Sequence, residues 1–359
     1  MDSFDELEQV IRERGAEAAF DLLIQRARDE RNFREVFAAR VMQARHRAGL
    51  PLIETEGGAN LPADVLYDAA RETGALFLAA GDIPGAWPYF RAIGDTAPVA
   101  AAIETAGPGE HLDAVIEIAY REGVHPRRGF ELILEHRGIC NAITWFGALP
   151  QGDARMACLQ LLVRALYDEL AASLRAHIAR VEGAAPEAAS IAGLIAGRDW
   201  LFADNNYHTD TTHIASILRF APELEDQPTM RLALEIADYG THLAPMYQYQ
   251  GEPPFDNPYS DHAIYLRALL GQDVDTAVEH FRRKAPESPF ASDVFVDLLI
   301  RLDRFEEAIG ASRQSEGNPS TLQLCQMSGN FETLKEVAKE KGDLLAYAAG
   351  VLQKEMNPR

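Results

Sequence analysis

The fold is decided by a short pattern that reads LDRFEEAIGAS at residues 302–312. A helix ends, a turn residue follows, a small or apolar residue comes five or six positions later, and a packing residue comes four positions after that. The pattern returns as LAAGDIPGAWPYF at 78–90, LGQDVDTAVEHF at 270–281 and SGNFETLKEVA at 328–338. The turn residue lets the chain reverse, and the small residue lets two helices cross closely. The pattern therefore predicts helical hairpins that stack on one another.

Helical periodicity extends over nearly the whole chain. Alternating runs of Val, Ile or Thr bounded by hairpin turns are missing, whereas glycines that can end helices recur. We therefore expect an all-α protein with more than about 60% helix and no sheet of three or more strands. Residues 154–183 contain no Pro or Gly before Gly183, so they predict one long helix with Leu162 and Leu166 buried on its apolar stripe.

The repeated pattern resembles tetratricopeptide repeats, most clearly over residues 260–353 and around 74–94. Together with YHTDTTH at 207–213 and PPFDNPYSDH at 253–262, it makes the chain similar to a bacterial family of tetratricopeptide-like proteins. The resemblance implies an α-solenoid of stacked hairpins with a concave binding surface, and it implies no catalytic activity. We expect a helical-repeat half at 1–153, a connecting helix at 154–183 and a tetratricopeptide-like half at 184–359.

Charge and composition restrict the partners. The 359 residues are 47% hydrophobic and carry a net charge of −21, so the chain should fold and should repel nucleic acids and anionic membranes. Cys140, Cys158 and Cys325 are too sparse for a disulfide framework. The acidic N-terminus has no apolar segment of the kind that a secretory signal needs, and no apolar run reaches the ~18 residues of a membrane span. These features predict a cytoplasmic protein.

Residues 200–281 depart from the rest in composition. They hold five of the ten histidines and six of the eleven tyrosines, and they include a Pro- and Gly-rich loop at 247–262. Long loops in compact proteins are often functional. The segment therefore predicts a groove that binds a peptide or protein partner. The predicted contact residues are Tyr207, His208, Tyr247, Tyr249, Tyr259 and His262.

The same segment allows a second interpretation, a metal-dependent enzyme of the hydrolase or lyase class. Imidazole and carboxylate groups bind zinc, iron, manganese or nickel ions, and His208, Asp210 and His213 with His262 would supply such ligands. A purely local role competes with this hypothesis, because Thr209 or Asp210 can cap a helix at 211–220 and Ser260 can cap one at 261–270. The sequence predicts no other cofactor, and it leaves both catalysis and the oligomeric state open.

Overall fold

The computed structural model describes residues 3–53, 61–184, 186–313 and 319–356. Within these ranges 76% of the residues are helical and none lies in a strand, which confirms the predicted all-α class and helix content. No helix in the described ranges is long and apolar enough to cross a membrane. The chain divides into two compact units, Met1–Ala142 and Ile143–Arg359, and the division falls inside one helix beyond its bend at Gly138.

The first unit is a series of helices, and among the first five each packs on its neighbours in the sequence. They are α1 (Ser3–Asp29), α2 (Phe33–Arg47), α3 (Ala63–Ala79), α4 (Ile83–Ala92), α5 (Ala97–Glu104), α6 (Leu112–Ile116), a π-helical turn (Glu117–Arg121) and most of α7 (Pro126–Gly147). Gly15 adopts non-helical φ and ψ and bends α1. Between α3 and α4 the crossing is so close that a Cβ at Gly74 would lie 2.6 Å from the ring of Phe90.

The second unit begins with the longest helix and continues as hairpins. Its helices are α8 (Asp153–Glu182), α9 (Ile191–Ile195), α10 (Thr211–Leu218), α11 (Gln227–Thr241), α12 (Pro258–Leu269), α13 (Val274–Lys284), α14 (Pro289–Arg301), α15 (Phe305–Ser312), α16 (Thr321–Ser328), α17 (Phe331–Lys341) and α18 (Leu344–Met356). Short 3-10 turns lie at Asp199–Asn205, Ala221–Glu223, Pro245–Tyr247 and Ala285–Glu287. From α11 to α18, each helix packs on the next one in the chain.

The repeated pattern marks the turns and the packing positions correctly. Its four turn residues all adopt positive φ, namely Gly81 (78°), Gly271 (77°), Asp303 (57°) and Gly329 (69°). The small or apolar residues that follow them are all buried, namely Ala86, Ala277, Ala308 and Leu334. The turn residue therefore reverses the chain, and the small residue allows the close approach that the sequence predicted.

Helix α8 carries two groups of polar side chains, one near Arg155 at its start and one near His177 close to its end. It is a single helix of 30 residues that ends at Gly183 in the left-handed conformation, and Leu162 and Leu166 are completely buried on it, as predicted. It runs parallel to α11, because Gln160 bonds to Asp226 at the start of α11 and Tyr167 bonds to Glu235 farther along it. Arg155 and His177 lie about 33 Å apart along the helix axis.

Candidate functional site

His208 lies at the centre of the histidine- and tyrosine-rich segment. It follows a 3-10 turn in which Asp204 and Asn205 adopt positive φ, so the chain changes direction just before it. Its side chain reaches between α8 and α11, where Nε2 lies 2.9 Å from Nδ1 of His177 and Nδ1 lies 3.0 Å from the phenol oxygen of Tyr239. Burial, together with the neighbouring His177, lowers the pKa of His208 to about 4, so this imidazole is neutral near pH 7.

The burial of Tyr239 fixes the direction of this hydrogen-bond chain. The phenol oxygen already accepts the backbone N–H of His208 at 2.9 Å, and burial raises the pKa of the phenol, so the phenol stays protonated. In the described part of the chain, Nδ1 of His208 is the acceptor within reach of the phenol hydrogen. His208 therefore carries its hydrogen on Nε2 and donates it to His177. Both ring nitrogens of His208 are occupied, which leaves no lone pair for a metal ion.

Asp210 and His213 lie at the start of α10. Asp210 is the N-cap residue and accepts the backbone N–H of Thr212 at 2.9 Å and its hydroxyl at 2.6 Å, which confirms the predicted cap. These hydrogen bonds to Thr212 lower the pKa of Asp210. Nε2 of His213 lies 3.9 Å from Asp210, whereas its buried Nδ1 meets no hydrogen-bond partner among the described residues. Asp210 therefore begins α10, and His213 lies in the first turn of that helix.

His262 lies in different surroundings. Its ring stacks on Phe255 with 4.0 Å between centroids, and Nδ1 lies 2.5 Å from the carbonyl oxygen of Pro258. Burial lowers its pKa to about 4. Its partners are thus unrelated to those of His208, Asp210 and His213. The described ranges contain no group of three or more His, Cys, Asp or Glu that could hold a metal ion. The structure does not assemble the metal site that the sequence suggested.

The predicted cap at Ser260 is wrong, because α12 begins earlier, after Asn257, and Ser260 lies within its first turn. Its neighbour Asp261, which is 1% exposed, has a larger role. Asp261 accepts the backbone N–H of Asn257 at 2.8 Å, Nε2 of His280 at 2.8 Å and the ammonium group of Lys284 at 2.7 Å.

Lys284 ties the Pro- and Gly-rich loop to α13. Besides Asp261, its ammonium group donates to Asp256 at 2.6 Å and to the carbonyl oxygen of Pro254 at 2.9 Å. At the other end of the loop, the amide of Gln248 donates to the carbonyl oxygens of Gly240 and Leu243. The loop is therefore attached by hydrogen bonds at both ends.

The six predicted contact residues separate into two groups. His208, Tyr259 and His262 are buried, so they support the surface and cannot line it. Tyr207, Tyr247 and Tyr249 reach the surface. Tyr207 is 53% exposed and packs edge to face on Tyr247 at 5.2 Å, and Met246 beside Tyr247 is 68% exposed. We call Tyr207, Met246, Tyr247 and Tyr249 the aromatic surface.

The other end of α8 holds a cleft that sequence reasoning missed. Its volume is about 690 Å³, and its polar lining residues are Gln151, Asp153, Arg155, Glu223, Glu225, Asp293, Tyr265, Asp297 and Arg301. Arg155 donates to both carboxylate oxygens of Glu223, at 2.6 and 2.8 Å, and also to the carbonyl oxygens of Phe146 and Leu149. One signal was present in the sequence, because Arg155 shares the apolar stripe of α8 with Leu159 and Leu162.

Two arginines hold the same 3-10 turn at the edge of the cleft. Arg155 binds Glu223 of that turn, and Arg301 donates to the carbonyl oxygen of Pro222 at 2.6 Å and to that of Leu224. Tyr265 donates to Asp297 at 3.1 Å on the cleft wall. These hydrogen bonds hold Arg155, Glu223, Arg301, Tyr265 and Asp297 in place, so the cleft is a built feature of the fold.

Comparisons with protein-family models, with curated proteins and with solved structures gave no match for this chain.

Proposed function

We propose that this chain is an α-solenoid interaction protein of the tetratricopeptide-like type and that it binds a partner protein through the aromatic surface. The observation that carries the proposal is the exposure of Tyr207 and Met246 beside Tyr247, in a unit that buries Tyr239, Tyr259 and Tyr265 almost completely. Tyrosine and methionine are enriched in binding surfaces because they supply a large contact area. A cluster of them in solvent is typical of an interface.

The aromatic surface rests on a fixed base, which favours binding. Tyr249 shares a hydrogen bond of 2.7 Å with the hydroxyl of Thr211, and Tyr259 beneath it packs so closely on α11 that a Cβ at Gly240 would lie 2.5 Å from its ring. Gln248 and Lys284 hold the ends of the loop. A surface that is ordered before binding loses less conformational entropy when a partner arrives.

Charge indicates the chemistry of the partner. Residues 199–262 contain eleven Asp or Glu and only two Arg. Such a field attracts cations and repels phosphate groups. The faces of tyrosine rings also attract the side chains of Arg and Lys. We therefore propose a basic peptide segment as the partner, with its cationic side chains on the tyrosine rings.

Selection from a random peptide library displayed on phage tests this proposal, with binding of the enriched peptides then measured by fluorescence anisotropy. We expect enrichment of Arg- and Lys-containing sequences whose affinity falls with salt. Tyr207→Ala and Tyr247→Ala should each weaken binding by about tenfold or more. Phe290→Ala is the matched control, because Phe290 is 57% exposed in the same unit but lies on α14.

Two outcomes would contradict the proposed function. One is a selection that does not favour basic sequences. The other is a loss of affinity in Phe290→Ala as large as that in Tyr207→Ala, which would place the binding surface elsewhere.

A further inference from the structure

Helix α18 buries small residues and leaves its three leucines exposed. Ala346 is buried, and Gly350 lies so close to α17 that a Cβ there would come within 3.0 Å of Cγ of Lys335. Leu344 and Leu345 are each 83% exposed, and Leu352 is 58% exposed. A surface helix normally does the reverse, with its large apolar residues toward the core. The exposed leucines indicate a surface that another molecule covers.

The exposed side of α18 is a continuous apolar stripe. Residues four apart share one side of a helix, so Leu344, Ala348 and Leu352 are aligned, with Leu345 and Ala349 beside them. All five residues are exposed, and none is polar. The stripe thus presents apolar area and no charge.

We propose that this stripe binds a second copy of the chain, with two α18 helices packed antiparallel across a two-fold axis. The order Leu-Ala-Leu at 344, 348 and 352 reads the same in both directions. Antiparallel pairing centred on Ala348 therefore places Leu344 against Leu352 of the partner subunit, and the two copies of Ala348 against each other. An interface of this symmetry needs a surface that is complementary to itself. The central alanine permits a close approach of the two helix axes.

Local charge also favours a second copy at this position. The whole chain carries −21, so most of its surface repels another copy. Residues 331–356, however, contain four Lys and five Asp or Glu, and are almost neutral. Antiparallel pairing also brings the N-terminal end of each helix next to the C-terminal end of the other, which their dipoles favour. Repulsion between copies is therefore small where the leucines are exposed.

The small area of the exposed side of α18 limits the expected affinity of the dimer. A helix of 13 residues is about 20 Å long. Two such helices bury less than the 1,200–2,000 Å² or so of a standard stable interface. We therefore expect a dimer that dissociates on dilution in the micromolar range or above. The inference rests on α18 alone and is independent of the proposed function.

Sedimentation velocity of the full chain over a wide range of concentration tests the dimer. The average mass should rise from that of one chain toward that of two. The double change Leu344→Glu with Leu352→Glu should raise the dimer dissociation constant by on the order of a hundredfold. Phe290→Glu is the control and should leave the constant unchanged, because Phe290 is similarly exposed on another helix. Circular dichroism establishes that each variant is folded.

Cysteine crosslinking tests the register in a Cys140→Ser background, because Cys140 is exposed and Cys158 and Cys325 are buried. Ala348→Cys should give disulfide-linked dimers on mild oxidation. Gln353→Cys should not, because antiparallel pairing places its two copies about 15 Å apart along the helix axis. A wild-type chain that stays monomeric throughout, or equal crosslinking of the two variants, would overturn the proposal. So would binding of the leucine stripe to phosphatidylcholine vesicles in place of self-association.

Discussion

At the C-terminal end of α8, His177, His208 and Tyr239 form a closed hydrogen-bond chain, whereas at its N-terminal end Arg155 and Arg301 hold the wall of an open cleft. The first region stands out in the sequence because histidine and tyrosine are concentrated there. The second does not stand out, although it contains a cavity of about 690 Å³. The density of polar residues in a sequence is therefore a poor guide to where polar atoms remain accessible in the fold.

The largest loss of stability should come from replacing Arg155, at the cleft end of α8. Arg155→Ala leaves Glu223 without its ion-pair partner and removes the Arg155 donor from the carbonyl oxygens of Phe146 and Leu149, and the side chain that it truncates is only 9% exposed. Breaking a buried ion pair on one side should lower the free energy of unfolding by about 3–5 kcal/mol in urea titrations. Arg282→Ala removes two exposed ion pairs in the same unit, with Glu279 and Glu307, and should cost about 1 kcal/mol or less. Equal losses would mean that Arg155 does not stabilise the cleft wall.

Lowering the pH should destabilise the folded chain through His208, at the C-terminal end of α8. The pKa of His208 is lowered to about 4 in the folded chain, against 6.5 for an ordinary histidine. Between these values the unfolded chain binds a proton that the folded chain does not bind. Stability is therefore fully present above pH 6.5 and falls as the pH drops toward 4, by up to about 3 kcal/mol from this residue.

His262, whose pKa is also lowered to about 4, acts in the same direction. Urea titrations at a series of pH values measure the slope of stability against pH. His208→Gln should make it shallower between pH 6.5 and 4. A slope identical to that of the wild-type chain would show that folding does not lower the pKa of His208.

A smaller effect should follow from loss of one hydroxyl group. Tyr239→Phe deprives both the backbone N–H and Nδ1 of His208 of their partner inside the protein. An unsatisfied buried polar group costs about 1–3 kcal/mol, measurable in the same titrations. Tyr207→Phe is the control, because Tyr207 is exposed, and should change stability by less than about 0.5 kcal/mol. A Tyr239→Phe chain as stable as the control would mean that water replaces the phenol.

The smallest effect should come from Asp210. Its carboxylate caps α10, so Asp210→Ala should cost about 1 kcal/mol and Asp210→Asn should restore most of it. Zinc and a chelator such as EDTA should both leave the melting temperature of the wild-type chain unchanged, because Asp210, His208 and His213 do not converge on one point. A rise in melting temperature with zinc that His213→Ala abolishes would restore the metal hypothesis.

The sequence predicted local structure well because local structure depends on neighbouring residues. The turn at Asp303, the course of α8 up to Gly183 and the cap at Asp210 each depend on residues within one or two helical turns. The helix start at Ser260 was misplaced because Pro258 begins α12 and Asn257 precedes it. That error moved a boundary by only a few residues.

The site was predicted less well because its contacts join distant parts of the chain. Arg155 meets Glu223 across 68 positions, and His208 meets His177 and Tyr239 across 31 positions each. Residue type alone could not show that both nitrogens of His208 would be occupied, or that Tyr259 would be buried while Tyr207 was exposed. Tertiary packing decides which polar groups remain available.

The length of α8 has a consequence for the cooperativity of unfolding. Stacked hairpins contact mainly their neighbours, so such arrays can open one repeat at a time from an end. The buried stripe of α8 runs without interruption from Cys158 to Ile178 and packs on α9, α10 and α11. None of these helices can detach from α8 without exposing part of that stripe. Helices α8 to α11 should therefore open as one cooperative block with uniformly slow amide hydrogen exchange, while hairpins farther along the chain exchange faster.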